Sequence, residues 1–280
     1  MPLITIDDLK HAPDLLERMD EAKTIQTRYH QHLATFTDNG PVREAGIHAS
    51  EISKCHRQAV YTMKGEEKKV ERGDDTESKA YWKKVLDHGT FIHEMVQHHF
   101  AVMAAGSHGR MKFTKEAKIN PELQALAAKW NIYSSCDGIF TFYDKDPKTW
   151  KYTPRLRMGL EIKSASSSSF EKMKEPDPAH VEQMHLYMAA LDIPVFWIMY
   201  FNKDNQNVTP SAPPWLVHFD SALWRKLEER FTSWQHHISN GTLPEKMPGM
   251  HCGFCPYKWT CKPPERKTFR PRPTAFGGPV

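Results

Sequence analysis

Apolar residues recur along this chain in two rhythms. From residue 7 to residue 37 they fall at helical spacing among charges (Leu9, Leu15, Leu16, Met19, Ile25, Leu33), with Pro13 or Asp14 able to divide the segment into two helices. From Ser78 to Ala104 the same rhythm returns through Trp82, Val85, Leu86, Ile92, Met95, Val96, Phe100 and Val102. Shorter helices are predicted at Ala49 to Tyr61 and at His180 to Leu191, and Asp220-Ser221 caps a last one that ends near Asn240-Gly241. The second rhythm is that of strands: Met111 to Ile119, Asn131 to Phe140, Gly159 to Lys163, the apolar run Val195 to Phe201, and Trp215 to Phe219. Residues 144 to 154 would join the second and third strands as a hairpin, Ser164 to Ser169 would leave the sheet as a flexible loop, and the charged stretch 64 to 79 reads as a linker or mobile loop. This order predicts an α/β fold, a mixed central sheet with helices on both faces.

Composition narrows the classes. The chain has 280 residues, 39% hydrophobic and 26% charged, which suits a folded protein with a sizeable core. A net charge of only +4 leaves nucleic acid as one compatible partner, since basic residues cluster locally at Arg155-Leu156-Arg157 and in the tail from Arg266 to Arg272. No run of about 18 apolar residues would span a membrane, and Met1 to Asp8 lacks the features of a signal peptide, so a cytoplasmic location is expected. In a reducing compartment five cysteines, three of them within ten residues, point to metal rather than disulfides.

The candidate chemistry begins at Gly159-Leu160-Glu161-Ile162-Lys163. Side chains two apart on a strand share a face, so Glu161 and Lys163 stand together while Leu160 and Ile162 enter the core. Alone, such a triplet is most often a solvated ion pair. Pairing with the preceding strand brings Asp137 opposite Glu161, and two carboxylates beside an ammonium suit a hard divalent cation. His93 lies on a largely apolar helix, where a lone histidine is more often a core side chain than a ligand. Gln183 and Tyr187, four apart, share one helix face. Near the end, Cys252, Cys255 and Cys261 follow a C-x2-C-x5-C spacing that lacks a local fourth ligand, for which Cys55 is the natural candidate and His251 or His56 are substitutes; Cys136 reads as a small core residue. Spacing does not separate an iron-sulfur centre from zinc, since both accept four thiolates.

Taken in order, Cys55 and Arg57, Gly89 and His93, Asp137, Glu161 and Lys163, Gln183 and Tyr187, and the closing cysteines resemble the RecB-like branch of the PD-(D/E)XK nucleases, within it the iron-sulfur exonucleases of the CRISPR-associated and AddB kind. The resemblance covers about residues 50 to 262. It implies a restriction-endonuclease-like sheet with a helical subregion stapled by a 4Fe-4S cluster on Cys55, Cys252, Cys255 and Cys261. It further implies Mg or Mn held by His93, Asp137, Glu161 and the carbonyl of Ile162, Lys163 polarising the attacking water, and Gln183, Tyr187 and Arg57 contacting DNA. The implied activity is exonucleolytic hydrolysis of DNA, on single-stranded ends, in recombination, repair or processing, alongside a helicase, a recombinase or a CRISPR adaptation protein. A catalytically idle DNA-binding subunit with a four-cysteine zinc site is the competing class, and a sequence-specific endonuclease a third. The sequence departs from the family in having Cys136 before Asp137, where Pro or Gly is usual, and residues 1 to 48 match nothing in it. The expected organisation is a helical segment 1–48, a nuclease domain 49–262 and an extended basic tail 263–280.

Overall fold

The computed structural model describes residues 44–68, 76–205, 207–209 and 214–261, besides residues 27, 28, 31 and 32. The expectations for the helices before residue 38, apart from those four positions, and for the basic tail lie outside the described residues. After a 3-10 turn at Ala49–Glu51 come α1 (His56–Met63) and α2 (Thr76–Ala105), then β1 (Met111–Ile119), α3 (Ala125–Trp130), β2 (Ser134–Lys145) and β3 (Tyr152–Ala165). The chain continues through α4 (Ser167–Phe170), α5 (Pro178–Leu191), β4 (Val195–Asn202), β5 (Val208–Thr209), β6 (Trp215–His218) and α6 (Ser221–Ser239), and closes with a 3-10 turn (Met250–Phe254) and α7 (Lys258–Cys261).

The strands form one mixed sheet in the order β1-β2-β3-β4-β5, with β6 also on β4. Pairing is antiparallel except between β3 and β4, which run parallel because the crossover between them carries α5. Asp146 closes the β2–β3 hairpin by accepting the N–H groups of Lys148 and Thr149 at 2.7 and 3.1 Å. The α5 helix starts where Asp177 caps the N–H of Ala179, Pro178 fills the first turn, and Asp192 ends it in the left-handed region at φ 53. Asp220 caps α6 in the same way, as its sequence predicts.

Apolar side chains fill both faces of the sheet. On one, Ile92 and Val96 of α2 lie over Phe140, Leu160, Ile162, Met199 and Phe201. On the other, Met184, Tyr187 and Met188 of α5 and Leu227, Phe231 and Trp234 of α6 cover Ile139, Phe196, Ile198 and Tyr200. Gly159 permits the tightest approach: a Cβ there would stand 2.1 Å from the Phe196 ring. Ile47 also belongs to the core, hydrogen-bonded through its backbone to Asn131 and Tyr133.

Several sequence boundaries move. The serine run is no loose loop, because parallel pairing carries β3 on to Ala165, and the N–H and hydroxyl of Ser167 bind Asp204 and Asn202 at 2.8 and 3.1 Å at the start of α4. Asn131 to Tyr133 is not strand, since Asn131 ends α3 at φ 53. Cys55 stands at the N-cap of α1 with extended backbone, outside the helix rather than within it. The charged segment gives way to helix at Thr76. Among the described residues no helix is long and apolar enough to cross a membrane.

Candidate active site and cysteine lobe

On β3 the alternation works as its sequence requires. Leu160 and Ile162 are fully buried under α2, and Glu161 and Lys163 turn toward α5. The Lys163 ammonium lies 2.6 Å from Glu161 Oε1 and donates to Gln183 Oε1 at 3.1 Å. The Gln183 amide in turn donates to the same carboxylate oxygen at 2.9 Å and to Tyr187 Oη at 2.6 Å. Helical spacing of four thus sets Gln183 on the ion pair of β3 and Tyr187 behind Gln183. Glu161 is only 2% exposed, and among the described residues its second oxygen, Oε2, has no hydrogen-bond partner. Burial raises the Glu161 pKa, with Lys163 pulling against it and Asp137 adding to it. Burial, and then the Glu161 charge, push the Tyr187 phenol well above its ordinary range, so it acts as a neutral hydroxyl.

Asp137 lies one step beyond the last β2–β3 ladder pair, Gly138 with Leu160, which puts it opposite Glu161. One carboxylate oxygen lies 2.9 Å from His93 Nδ1, and the other accepts the Ile162 N–H at 2.5 Å. Burial alone would lower the His93 pKa, but the hydrogen bond and charge of Asp137, with Glu161 beyond, raise it above its usual value. His93 is therefore no core histidine: it is half-buried and bonded to Asp137, because α2 packs across the sheet at this level. Gly89, one turn earlier, passes close to Ser164.

Sequence reasoning passed over two nearby side chains. Gln97, one turn beyond His93, donates to the Asp137 carbonyl at 2.9 Å and to Glu116 Oε1 at 2.6 Å. Glu116 holds a left-handed backbone (φ 51) within β1, between residues that pair with Cys136 and Gly138 and so facing Asp137. The spacing of four from His93 was a signal for Gln97; nothing in the sequence marks Glu116. Cys136 is fully buried, as a core residue would be, and burial pushes its thiol pKa far up.

The second cluster is separate. Cys55, Cys252, Cys255 and Cys261 line one cavity with Gln58, Tyr61 and Tyr257. The Cys255 thiol donates to Gln58 Oε1 at 3.7 Å, and burial raises its pKa, with the other three sulfurs adding to the effect. Tyr257 Oη and Thr62 Oγ1, both buried, are 2.9 Å apart and join the C-terminal turn to α1. Arg57 belongs here rather than with Lys163: it donates to the Pro244 carbonyl at 2.6 Å and to Cys261 Sγ at 3.6 Å, so its guanidinium faces the thiols. Among the described residues no three His, Cys, Asp or Glu side chains form a group already set to hold a metal ion. In the sheet site His93 and Asp137 are bonded to each other; in the cysteine lobe sulfurs contact Gln58 and Arg57.

No family model matches the chain, and no curated protein does. Among solved structures it is similar to an alkaline exonuclease from Laribacter hongkongensis, at 13% identity over 71% of this chain and 90% of that one, with a TM-score of 0.46. The complex of that exonuclease with dAMP gives 13% identity, 70% and 89% coverage, and a TM-score of 0.46. A phage-related exonuclease from Haemophilus somnus 129PT gives 16% identity, 55% and 70% coverage, and a TM-score of 0.32. Likeness at this level leaves fold and activity to be argued from the chain's own geometry.

Proposed function

We propose that this chain is a metal-dependent deoxyribonuclease of the PD-(D/E)XK kind, an exonuclease that hydrolyses phosphodiester bonds at single-stranded DNA ends. The observation that carries the reading is Glu161: a buried carboxylate with one oxygen unpartnered, next to an ammonium and opposite a second carboxylate. A buried anion with an orphan oxygen is costly unless a cation completes it. Lys163 meets only Oε1. The donors present are oxygens and one imidazole, which suits Mg or Mn. His93, Asp137, Glu161 and the Ile162 carbonyl would hold the ion, exchanging the present His93–Asp137 hydrogen bond for coordination. A divalent ion there supplies Lewis acidity at the scissile phosphate and makes water a stronger acid.

The chain's own residues do the rest. Lys163, held by Glu161 and Gln183, adds positive charge where negative charge grows on the phosphate. Burial changes the task of Gln183 and Tyr187 from the DNA contact that the resemblance implies: at 5% and 2% exposure, Gln183 holds Glu161 and Lys163 in register and Tyr187 orients Gln183. Arg57, engaged at the thiols, has no reach to spare for the site.

The four cysteine sulfurs surround one cavity, and we propose that, deprotonated, they hold a 4Fe-4S cluster that ties α1 to the C-terminal turn. Protein prepared without air should be brown and contain iron; zinc without iron would remove that assignment and leave a four-thiolate zinc site.

The deciding experiment offers linear, end-labelled single-stranded DNA with Mg or Mn. Mononucleotide release should stop on chelation and on Glu161→Ala, and Lys163→Ala should lose cleavage while retaining metal affinity. Digestion by Glu161→Ala at the parent rate would reject the site. Cutting of circular single strands as fast as linear ones would reject the exonuclease in favour of an endonuclease.

A further inference from the structure

His180 lies in the first turn of α5, three residues before Gln183 and seven before Tyr187, so the three share a helix face. The β3–β4 register pairs Lys163 with Tyr200, which sets the Tyr200 ring beside Lys163 on that same side of the sheet. Tyr200 Oη accepts the N–H of Asp177 at 3.0 Å and lies 2.8 Å from His180 Nδ1.

One histidine tautomer satisfies every polar partner in reach of these contacts. Burial pushes the Tyr200 phenol up to about 12, so it carries its proton. One lone pair of the phenol is taken by Asp177, and among the described residues the acceptor within reach of its proton is His180 Nδ1. Nδ1 therefore accepts, and the imidazole proton sits on Nε2. Among the described residues Nε2 makes no hydrogen bond. Burial and the Lys163 ammonium hold the ring uncharged, with its pKa lowered to about 4. Such a ring is no proton donor to a leaving group at neutral pH. It is an N–H with a fixed partner behind it, close to a cation.

We infer that His180 contacts the DNA strand directly, its Nε2–H donating to a phosphate oxygen beside Lys163. The inference rests on the nuclease reading and adds a donor that the Asp137, Glu161 and Lys163 set lacks, since Lys163 is already engaged by Glu161 and Gln183. Tyr200 is then a positioning residue, acting through His180.

The test uses the full chain with His180→Ala and His180→Gln, the latter carrying an amide N–H near the Nε2 position. Two readouts are taken: kcat/KM on end-labelled single-stranded DNA with Mg, and the Kd of a fluorescent oligonucleotide in chelator, where no turnover occurs. His180→Ala should lower kcat/KM roughly 10- to 100-fold and weaken binding several-fold, the effect of one hydrogen bond to a charged group. His180→Gln should recover most of both. Parent-like binding and cleavage by His180→Ala would overturn the inference, as would a folded His180→Gln no better than His180→Ala. If His180→Ala does not fold, His180→Gln decides alone: near-parent binding supports the contact and an Ala-sized loss of binding overturns it. A parent that binds DNA without digesting it would end the nuclease reading, and the chelator binding series would still judge His180.

Discussion

The sheet site and the cysteine lobe are assembled in opposite ways. Lys163, Glu161, Gln183 and Tyr187 come from one strand and the helix that crosses over next to it, and contacts of 2.6 to 3.1 Å join them. Their order follows from sheet pairing and a helix turn that the fold needs anyway. The lobe joins residues 195 positions apart through the Thr62–Tyr257 hydroxyl pair, with the Tyr61 and Tyr257 rings 5.3 Å apart. Closing so long a loop carries an entropy cost that the lobe's contacts must offset, and the proposed cluster would add to them. Chemistry at the site should therefore be separable from folding, whereas in the lobe binding of the proposed cluster and folding would be the same event.

The largest expected effect tests that separation. Glu161→Ala should cut DNA roughly a thousandfold more slowly, about 4 kcal/mol in barrier, with the fold intact. A variant that loses its melting transition along with activity would show that the site is not separable. Next comes Gly159→Ala, which touches no chemistry but drives a Cβ into the Phe196 ring under the site. It should cost about 1–3 kcal/mol in denaturant unfolding. Parent-like stability would mean that β3 and β4 are not so tightly apposed. In the lobe, Thr62→Val leaves the buried Tyr257 hydroxyl without its partner and should cost roughly 1–2 kcal/mol, with cleavage by folded protein unchanged. A fall in cleavage larger than the fall in folded fraction would join the two regions.

The smallest effect concerns pH. His180 has its folded pKa near 4, below the ordinary 6.5, so the unfolded chain takes up the proton first as pH falls. Stability should decline between pH 6.5 and 4 and be unaffected by this group outside that window. After allowance for solvent screening the term is about 1 kcal/mol, and His180→Gln should flatten the acid limb by that amount. Parallel curves for parent and variant would show that the ring is not held uncharged.

How much of this was readable beforehand depends on the kind of signal. Met111–Ile119 came out of the sequence with both ends in place, and Glu161, Lys163, Gln183 and Tyr187 were found as two pairs, because strand and helix periods are local properties of the chain. The Asp220 cap was legible for the same reason. His93 read by its helix alone as a core side chain and became a ligand only through the resemblance, since its contact with Asp137 exists only because that helix crosses the sheet there. Tyr200 was hidden in the run Val195 to Phe201: a strand buried on both faces has no polar alternation to betray it, and only the parallel register sets it beside Lys163. Glu116 needed its left-handed backbone opposite Asp137 to be noticed at all. Local period and capping thus determined most of the longer elements and which side chains share a face, Glu161 with Lys163 and Gln183 with Tyr187, from the sequence alone. The partners of each side chain were decided by tertiary structure, because register and crossing depth are set by packing between segments far apart in the chain.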